Sequence, residues 1–506
     1  MAGEIARAFH EATKHSPQAL GGRRSSAGPG FVPMEWDNRP NPFKVYSSPD
    51  LETFPLPEPP TSVFPALDAL TAGPESGRAP DLAALARLLT HGAGVIPHRT
   101  RGPFVFRTYA AAGALYPVEV YVIGGDIGDL ATGVYHFQPR SATLTLLRRG
   151  DHRPHLVRAT EEEDSVRAAN LVIALTGIPW RTAWKYTERG YRHLFWDAGM
   201  ILTNLLALAA SDGLAARVAL GFDDAEVEAV LGLDETREFP LCLLSIGSSE
   251  AVGAAPAPLK SSPIPAEPLS RRDFEFPPIN QVHDAGRLER PRVAQWRSGA
   301  SEGQDRSNTA RGESRPFAET DALEGVITRR GSARRFGPKP VPSEILTDTL
   351  SRAVSGIRTD YAPDGSALVE PFVIVNNVEG PEAGSYVWEG GELQPLKLGE
   401  FRREAGHLCL DQPLGATSGA TIFLMTRLGS ILERFDDRGY RAAQLEAGIV
   451  GGRIYLASYA HRFGATGLTF FDDEVTRFFL PRSRGLECML VVAVGDSPRL
   501  KGGGSP

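Results

Sequence analysis

A chain of 506 residues is too long for one hydrophobic core, and at ordinary domain sizes of about 100 to 200 residues it should divide into two to four units. Its 42% hydrophobic and 23% charged residues are those of globular protein, and a formal charge of −7 leaves no basic field for nucleic acid. Three widely spaced cysteines (Cys242, Cys409 and Cys488), no apolar run near the ~18 residues of a membrane span, and no basic-then-apolar leader together predict a cytoplasmic protein with no metal site, disulfide framework or membrane segment.

Residues 1–60 carry little periodicity after a short amphipathic helix and are rich in proline, so they are expected to wrap another surface. A first unit, 61–249, opens with the helix DLAALARLL at 81–89. The run RTYAAAGALYPVEVYVI (107–123) passes from a small-residue turn into a strand in which Val118, Val120 and Val122 alternate with their neighbours. Two hairpin-like pieces follow, GVYHFQP and TLTLLRRG, then an acidic helix and the buried strand LVIALTG. A long helix comes next, with Tyr191, Leu194, Phe195, Ala198, Leu202, Leu205 and Leu206 on one face, and FPLCLLSIG closes the unit. Residues 250–315 turn rich in Ala, Pro, Ser, Gly and charge with no helical or strand period, which predicts a flexible linker. A second unit spans 316–500, and 501–506 is a tail.

The second unit repeats the first. Residues 185–224 (KYTERGYRHLFWDAG…GFDD) return at 434–473 (RFDDRGYRAAQLEAG…FFDD) in one register without a gap, and GSALVEPFVIVN mirrors GALYPVEVYVI. A duplicated domain is implied, with the two long helices packed on each other. Neither G-x-G-x-x-G after a strand nor G-x-x-x-x-G-K-[ST] occurs, so each copy is expected to be a mixed sheet flanked by helices without a dinucleotide or P-loop turn.

The copies differ where chemistry would sit. Only the second has RRGSARRF (329–336), whose guanidinium forks and hydroxyl suit a phosphate, although a solvated basic face is the plain alternative. Only the first has AAAGALYP and the pair Lys185-Tyr186, replaced in the second by Arg434-Phe435. Tyr191 and Arg192 recur as Tyr440 and Arg441 and are assigned to packing. Glu188, Asp223 and Asp472 are expected to be solvated or to cap, the last two where Asp-Asp opens a helix. His98 and His136 are possible polar lining, and Arg499 and Lys501 weaker phosphate candidates.

GALYP together with KYTERGYR, the GVYHFQP hairpin, RRGSARRF and FGATGLTFFDDEV resembles the SagB-type dehydrogenases of the nitroreductase superfamily over nearly all the chain except linker and tail. The resemblance implies an α+β fold of two fused nitroreductase-like domains, each a mixed, mainly antiparallel sheet flanked by helices, forming an intramolecular pseudo-dimer. It implies FMN across the interface, with Arg330, Ser332 and Arg334 on the phosphate and ribityl side. Ala112, Gly113, Ala114 and Leu115 would reach it from the first half, and Gly464, Thr466, Gly467, Leu468 and Thr469 from the second. The family's Pro-Ser ahead of GALYP is Ala110-Ala111 here. The mirror-image pocket has no R-x-S-x-R segment and is expected to hold no flavin.

The resemblance also makes Lys185 and Tyr186 the catalytic pair for oxidising a thiazoline or oxazoline to the azole, on a peptide or carrier-bound substrate delivered by a partner biosynthetic protein. A phenolate favoured by the neighbouring ammonium could be the base, as could a desolvated lysine. Two other readings stay open: an NAD(P)H-dependent nitroreductase or flavin reductase, and a non-catalytic flavin-binding partner in a biosynthetic complex.

Overall fold

The computed structural model describes residues 2–18, 24–25, 28–29, 34–71, 78–99, 105–248, 252–253, 257–299 and 321–498. In the first half, strands β1 (Thr53–Pro55), β2 (Val118–Gly124), β3 (Gly133–Gln138), β4 (Thr143–Arg149), β5 (Leu171–Gly177), β6 (Ala216–Ala219) and β7 (Phe239–Ile246) form one sheet in the order β1-β4-β3-β2-β5-β7-β6. Every residue of β2, β5 and β7 is buried, because both faces of the sheet are covered, and this is why these strands read as continuous apolar runs. In the second half β8 (Val369–Val375), β9 (Gly384–Glu389), β10 (Glu392–Leu398), β11 (Ala420–Thr426), β12 (Gly464–Leu468) and β13 (Glu487–Gly495) take the order β10-β9-β8-β11-β13-β12, the same plan without the N-terminal edge strand. All pairings within these two sheets are antiparallel.

The two long helices, Gly190–Ser211 and Arg438–Ala460, pack on each other as the repeat predicts. Gly199 and Gly448 make the close approach possible. A Cβ on Gly199 would lie 2.5 Å from the backbone of Gly448 and Ile449, and one on Gly448 would lie 2.6 Å from the Trp196 carbonyl oxygen. Trp196 Nε1 donates to Gln444 Oε1 at 2.7 Å, and Thr203 Oγ1 donates to the Ile449 carbonyl at 2.9 Å. The stretch Pro179–Ser211 is, by length and composition, apolar enough to cross a membrane, contrary to expectation; most of it is buried inside the protein.

Buried ion pairs lock the halves together with two-fold logic. Arg189 and Arg192 donate to Asp472 at 2.9 and 2.8 Å, while Arg438 and Arg441 donate to Asp224 at 2.5 and 2.8 Å. Asp472 is therefore not the solvated cap the sequence suggests. Burial alone would push its carboxyl up, but the two guanidiniums hold it well below the usual range. Asp223 does cap its helix, accepting from Glu226 N at 3.1 Å. The structural counterpart of Asp472 is thus Asp224, one residue off the apparent register. The slip falls in the connection from long helix to edge strand, Asp212 to Ala215 in one half and His461 to Phe463 in the other.

The N-terminal helix Glu4–Ala12 sits on this pseudo-axis: the Phe9 ring meets Tyr191 and Tyr440 edge-on at 5.5 and 6.1 Å. Asp436 and Asp437 accept from the amides of Gly3 and Ala6 at its start. The stretch 250–315 is not irregular throughout, as its composition suggests. Pro277–Ala285 and Arg290–Ser298 are helices, and they bury Ile279, Val282, His283, Val293 and Trp296.

Candidate active site

Ahead of β2 the small-residue run makes a tight turn in which Gly113, Ala114 and Tyr116 have φ of 62°, 52° and 50°. Two non-glycine residues in the left-handed region store strain that surrounding contacts must offset. Arg181 Nη1 donates to the Tyr116 carbonyl at 3.0 Å, Tyr116 Oη accepts from Arg107 N at 3.2 Å, and Asp197 accepts from Ala112 N at 3.2 Å. The turn is held so that Gly113 abuts the Lys-Tyr pair. A Cβ there would lie 2.9 Å from Tyr186 Oη and 3.2 Å from Lys185 Nζ.

Lys185 and Tyr186 end the helix Pro179–Tyr186, with Thr187 turning the chain at φ 49°. The Tyr186 ring stacks on His193 at 4.2 Å and 11°, and Lys185 Nζ lies 5.1 Å from the Tyr186 centroid. Burial pushes the Tyr186 phenol well up, and Asp197 adds to the effect. The expectation of a phenolate is therefore reversed: the tyrosine is a protonated donor. Lys185 is exposed, and its ammonium is disfavoured by partial desolvation and by the charges of Arg39 and Arg334. Of the pair, the lysine has the environment of a base.

The second half supplies the opposite wall. Arg330 is buried, its Nη2 donates to the Arg107 carbonyl at 3.2 Å, and its Nε is buried with no hydrogen-bond partner. Ser332 Oγ lies 3.2 Å from Tyr455 Oη, which also accepts from Gly467 N at 2.5 Å. Tyr455, on the long helix, thus ties the segment that carries Arg330 and Ser332 to the strand that carries Gly467. Sequence reasoning missed it because one tyrosine in an apolar helix carries no local signal. The Ala333 amide donates to the Ala465 carbonyl at 2.9 Å, which sets the arginine segment alongside β12. Arg334 is exposed on the Lys185 side, whereas Arg329 is used up in an ion pair with Asp321. On β12 and just after it, Gly464, Thr466 and Leu468 are buried, Gly467 is exposed, and the Thr469 carbonyl accepts from Gln412 at 3.2 Å. Ala112 and Ala114 are partly exposed, and Leu115 is buried. A cleft of about 210 Å³ lies beside the turn, between Ala114, Tyr116 and Val105 on one side and Arg39, Asn41 and Pro42 of the N-terminal segment on the other. Sequence reasoning did not single out Arg39, whose Nη2 donates to the Ala114 carbonyl at 3.3 Å.

The mirror-image position is filled by protein. Phe435 stands where Tyr186 does in the first half, and Trp296 packs on it at 5.1 Å while donating Nε1 to its carbonyl at 3.1 Å. The Asp360 carboxylate accepts from Leu220 N and Gly221 N at 2.9 and 2.7 Å, and Thr359 bridges in parallel to Val218 of β6. Burial pushes the Asp360 carboxyl up to about 6. His136 is core rather than lining, since its Nε2 lies 2.8 Å from Glu119 in a fully buried pair. The His98 side chain, Arg499 and Lys501 lie outside the described residues.

A family model described as the nitroreductase family matches residues 77–248 and 327–496, once in each half. A candidate nitroreductase of Methanocaldococcus jannaschii is 28% identical over 142 residues, which cover 28% of this chain and 70% of that protein. The microcin B17-processing protein McbC of Escherichia coli is 31% identical over 149 residues, covering 28% of this chain and 54% of McbC. The crystal structure of a candidate nitroreductase from Anabaena variabilis shares the fold over both halves, with a TM-score of 0.75 and 24% identity, covering 97% of this chain and 99% of that one.

Proposed function

The chain belongs to the nitroreductase family, and from that premise we propose that it is an FMN-dependent dehydrogenase that oxidises thiazoline or oxazoline rings to azoles on a peptide or carrier-bound substrate. One observation carries the proposal: Lys185 and Tyr186 of one half abut the strained turn at Gly113, while from the other half Arg330 donates to the Arg107 carbonyl just ahead of that turn and the charge of Arg334 reaches Lys185. The relative McbC is named for processing microcin B17, which agrees with a biosynthetic substrate brought by a partner protein.

The residues present suit the flavin. A buried guanidinium nitrogen without a partner at Arg330, the Ser332 hydroxyl and the exposed charge of Arg334 form a donor set for a phosphate and a ribityl chain. Ala112 to Leu115 and Gly464 to Thr469 offer small side chains and backbone to a flat ring. When bound, FMN supplies a hydride acceptor at N5.

Oxidation of an azoline to an azole removes one proton and one hydride from neighbouring atoms. Lys185, its ammonium disfavoured, takes the proton at Nζ. Tyr186 keeps its own and donates a hydrogen bond that orients the ring. Gly113, by lacking a Cβ, leaves room for both groups to reach the same substrate.

The test starts with the molecule released on denaturation, which should be FMN, one per chain. Lys185→Ala and Tyr186→Phe should then keep the flavin while azole formation falls by roughly 10²- to 10⁴-fold. Protein that releases no flavin, or variants as active as the parent, would refute the proposal. Rapid bleaching by NADPH with no azoline turnover would instead mark a flavin reductase, and bound flavin with no turnover of either kind a non-catalytic partner.

A further inference from the structure

The long helices place an acid at the same point in each half, Asp197 in the first and Glu446 in the second. Strand register fixes what each acid faces. Val118 pairs with Gly177 as Val369 pairs with Thr426, so Pro117 takes the place of Leu368. In the second half Glu446 Oε1 accepts from the amides of both Leu368 and Val369. Pro117 has no amide to donate. Asp197 Oδ1 reaches instead to Ala112 N, at 3.2 Å, inside the strained turn. Its Oδ2 is buried without a hydrogen-bond partner, in a residue only 3% exposed. What distinguishes this acid is its place, at the turn that Lys185 and Tyr186 abut.

We propose that Asp197 is a positioning residue for the Lys185–Tyr186 pair: its Oδ1 pins the Ala112 amide so that Gly113 abuts Tyr186 Oη, and its open Oδ2 sets the charge that the phenol faces. The inference rests on the role given above to that pair. Arg107, Tyr109 and Tyr116 from the 105–117 segment and Tyr186 from the preceding helix are the ionisable groups that face Asp197. Burial holds its carboxyl well above the usual range, with the Ala112 amide and Arg107 opposing. As pH rises and the proton leaves, a negative charge appears beside the phenol and makes that phenol a poorer donor.

Two variants separate anchoring from ionisation. Asp197→Asn keeps an acceptor oxygen and cannot ionise, whereas Asp197→Ala removes the anchor. Hydrogen exchange of the 110–116 amides should speed up at least tenfold in Asp197→Ala and stay within about threefold of the parent in Asp197→Asn. This readout needs no substrate, so it stands even if azolines are not oxidised. For turnover, measured as azole formation or as flavin bleaching by NADPH, Asp197→Ala should lose at least tenfold in kcat with flavin retained. Asp197→Asn should keep neutral-pH kcat within a few-fold and lose the alkaline limb of the parent's profile. Unchanged exchange in Asp197→Ala would overturn the anchor, and identical pH profiles for the parent and Asp197→Asn would overturn the charge.

Discussion

At the scale of single residues, the candidate site is marked by missing partners. Lys185 has guanidiniums nearby rather than a carboxylate, Asp197 has one amide where its counterpart has two, and Arg330 keeps a buried nitrogen unpaired. With Lys185 as the base, its neutral form is the active one. Its pKa lies below that of a free lysine, so kcat should rise with pH along an acid limb that lies below the ordinary lysine range near 10.4. That acid limb should persist in Tyr186→Phe, and a kcat that is flat with pH would assign the proton to another group. Arg330→Leu should lose the flavin itself, raising its dissociation constant by one to two orders of magnitude in fluorescence titration; a smaller arginine-site effect would place the phosphate elsewhere. The residues that differ between the copies were legible because the repeat supplies its own control. Asp197, Tyr455 and Arg39 were not, since each is a lone polar residue whose partners come from distant segments.

Among elements, the crossing of the long helices and its four arginines carry the pseudo-dimer. Gly199→Val would force a branched side chain into the backbone of Gly448 and Ile449, and a drop in thermal midpoint of several degrees or insoluble protein is expected. Asp472→Asn strands Arg189 and Arg192 with a neutral partner, which by analogy with broken buried pairs costs about 3–5 kcal/mol in denaturant unfolding. Because the Asp472 carboxyl is depressed, its stabilisation is present above the ordinary carboxylate range and is lost as pH falls through and below it. The parent should therefore lose stability below about pH 4 more steeply than Asp472→Asn. Strands and long helices were legible from burial-driven patterning. The helices at 277–285 and 290–298 were not: both open on proline-containing turns and bury few side chains, and Trp296 is anchored by Phe435, which lies far along the chain.

For the whole molecule, fold and asymmetry together set the stoichiometry. One interfacial position is lined by Arg330, Ser332 and Arg334, while its mirror image is packed with Trp296, Phe435 and Asp360. Titration with FMN should saturate at one equivalent per chain, and Trp296→Ala should leave that number unchanged because Asp360 still occupies the amides of Leu220 and Gly221; two equivalents would show the mirror position to be open. The filled side also frees the chain from a constraint that binds symmetric assemblies. When identical protomers meet about a true two-fold, any substitution appears in both crevices, so a residue that improves one role must be tolerated in the other. Here Phe435 and its Trp296 partner can occupy one crevice while Tyr186 keeps its place in the other, so packing and a candidate site need not share one side chain.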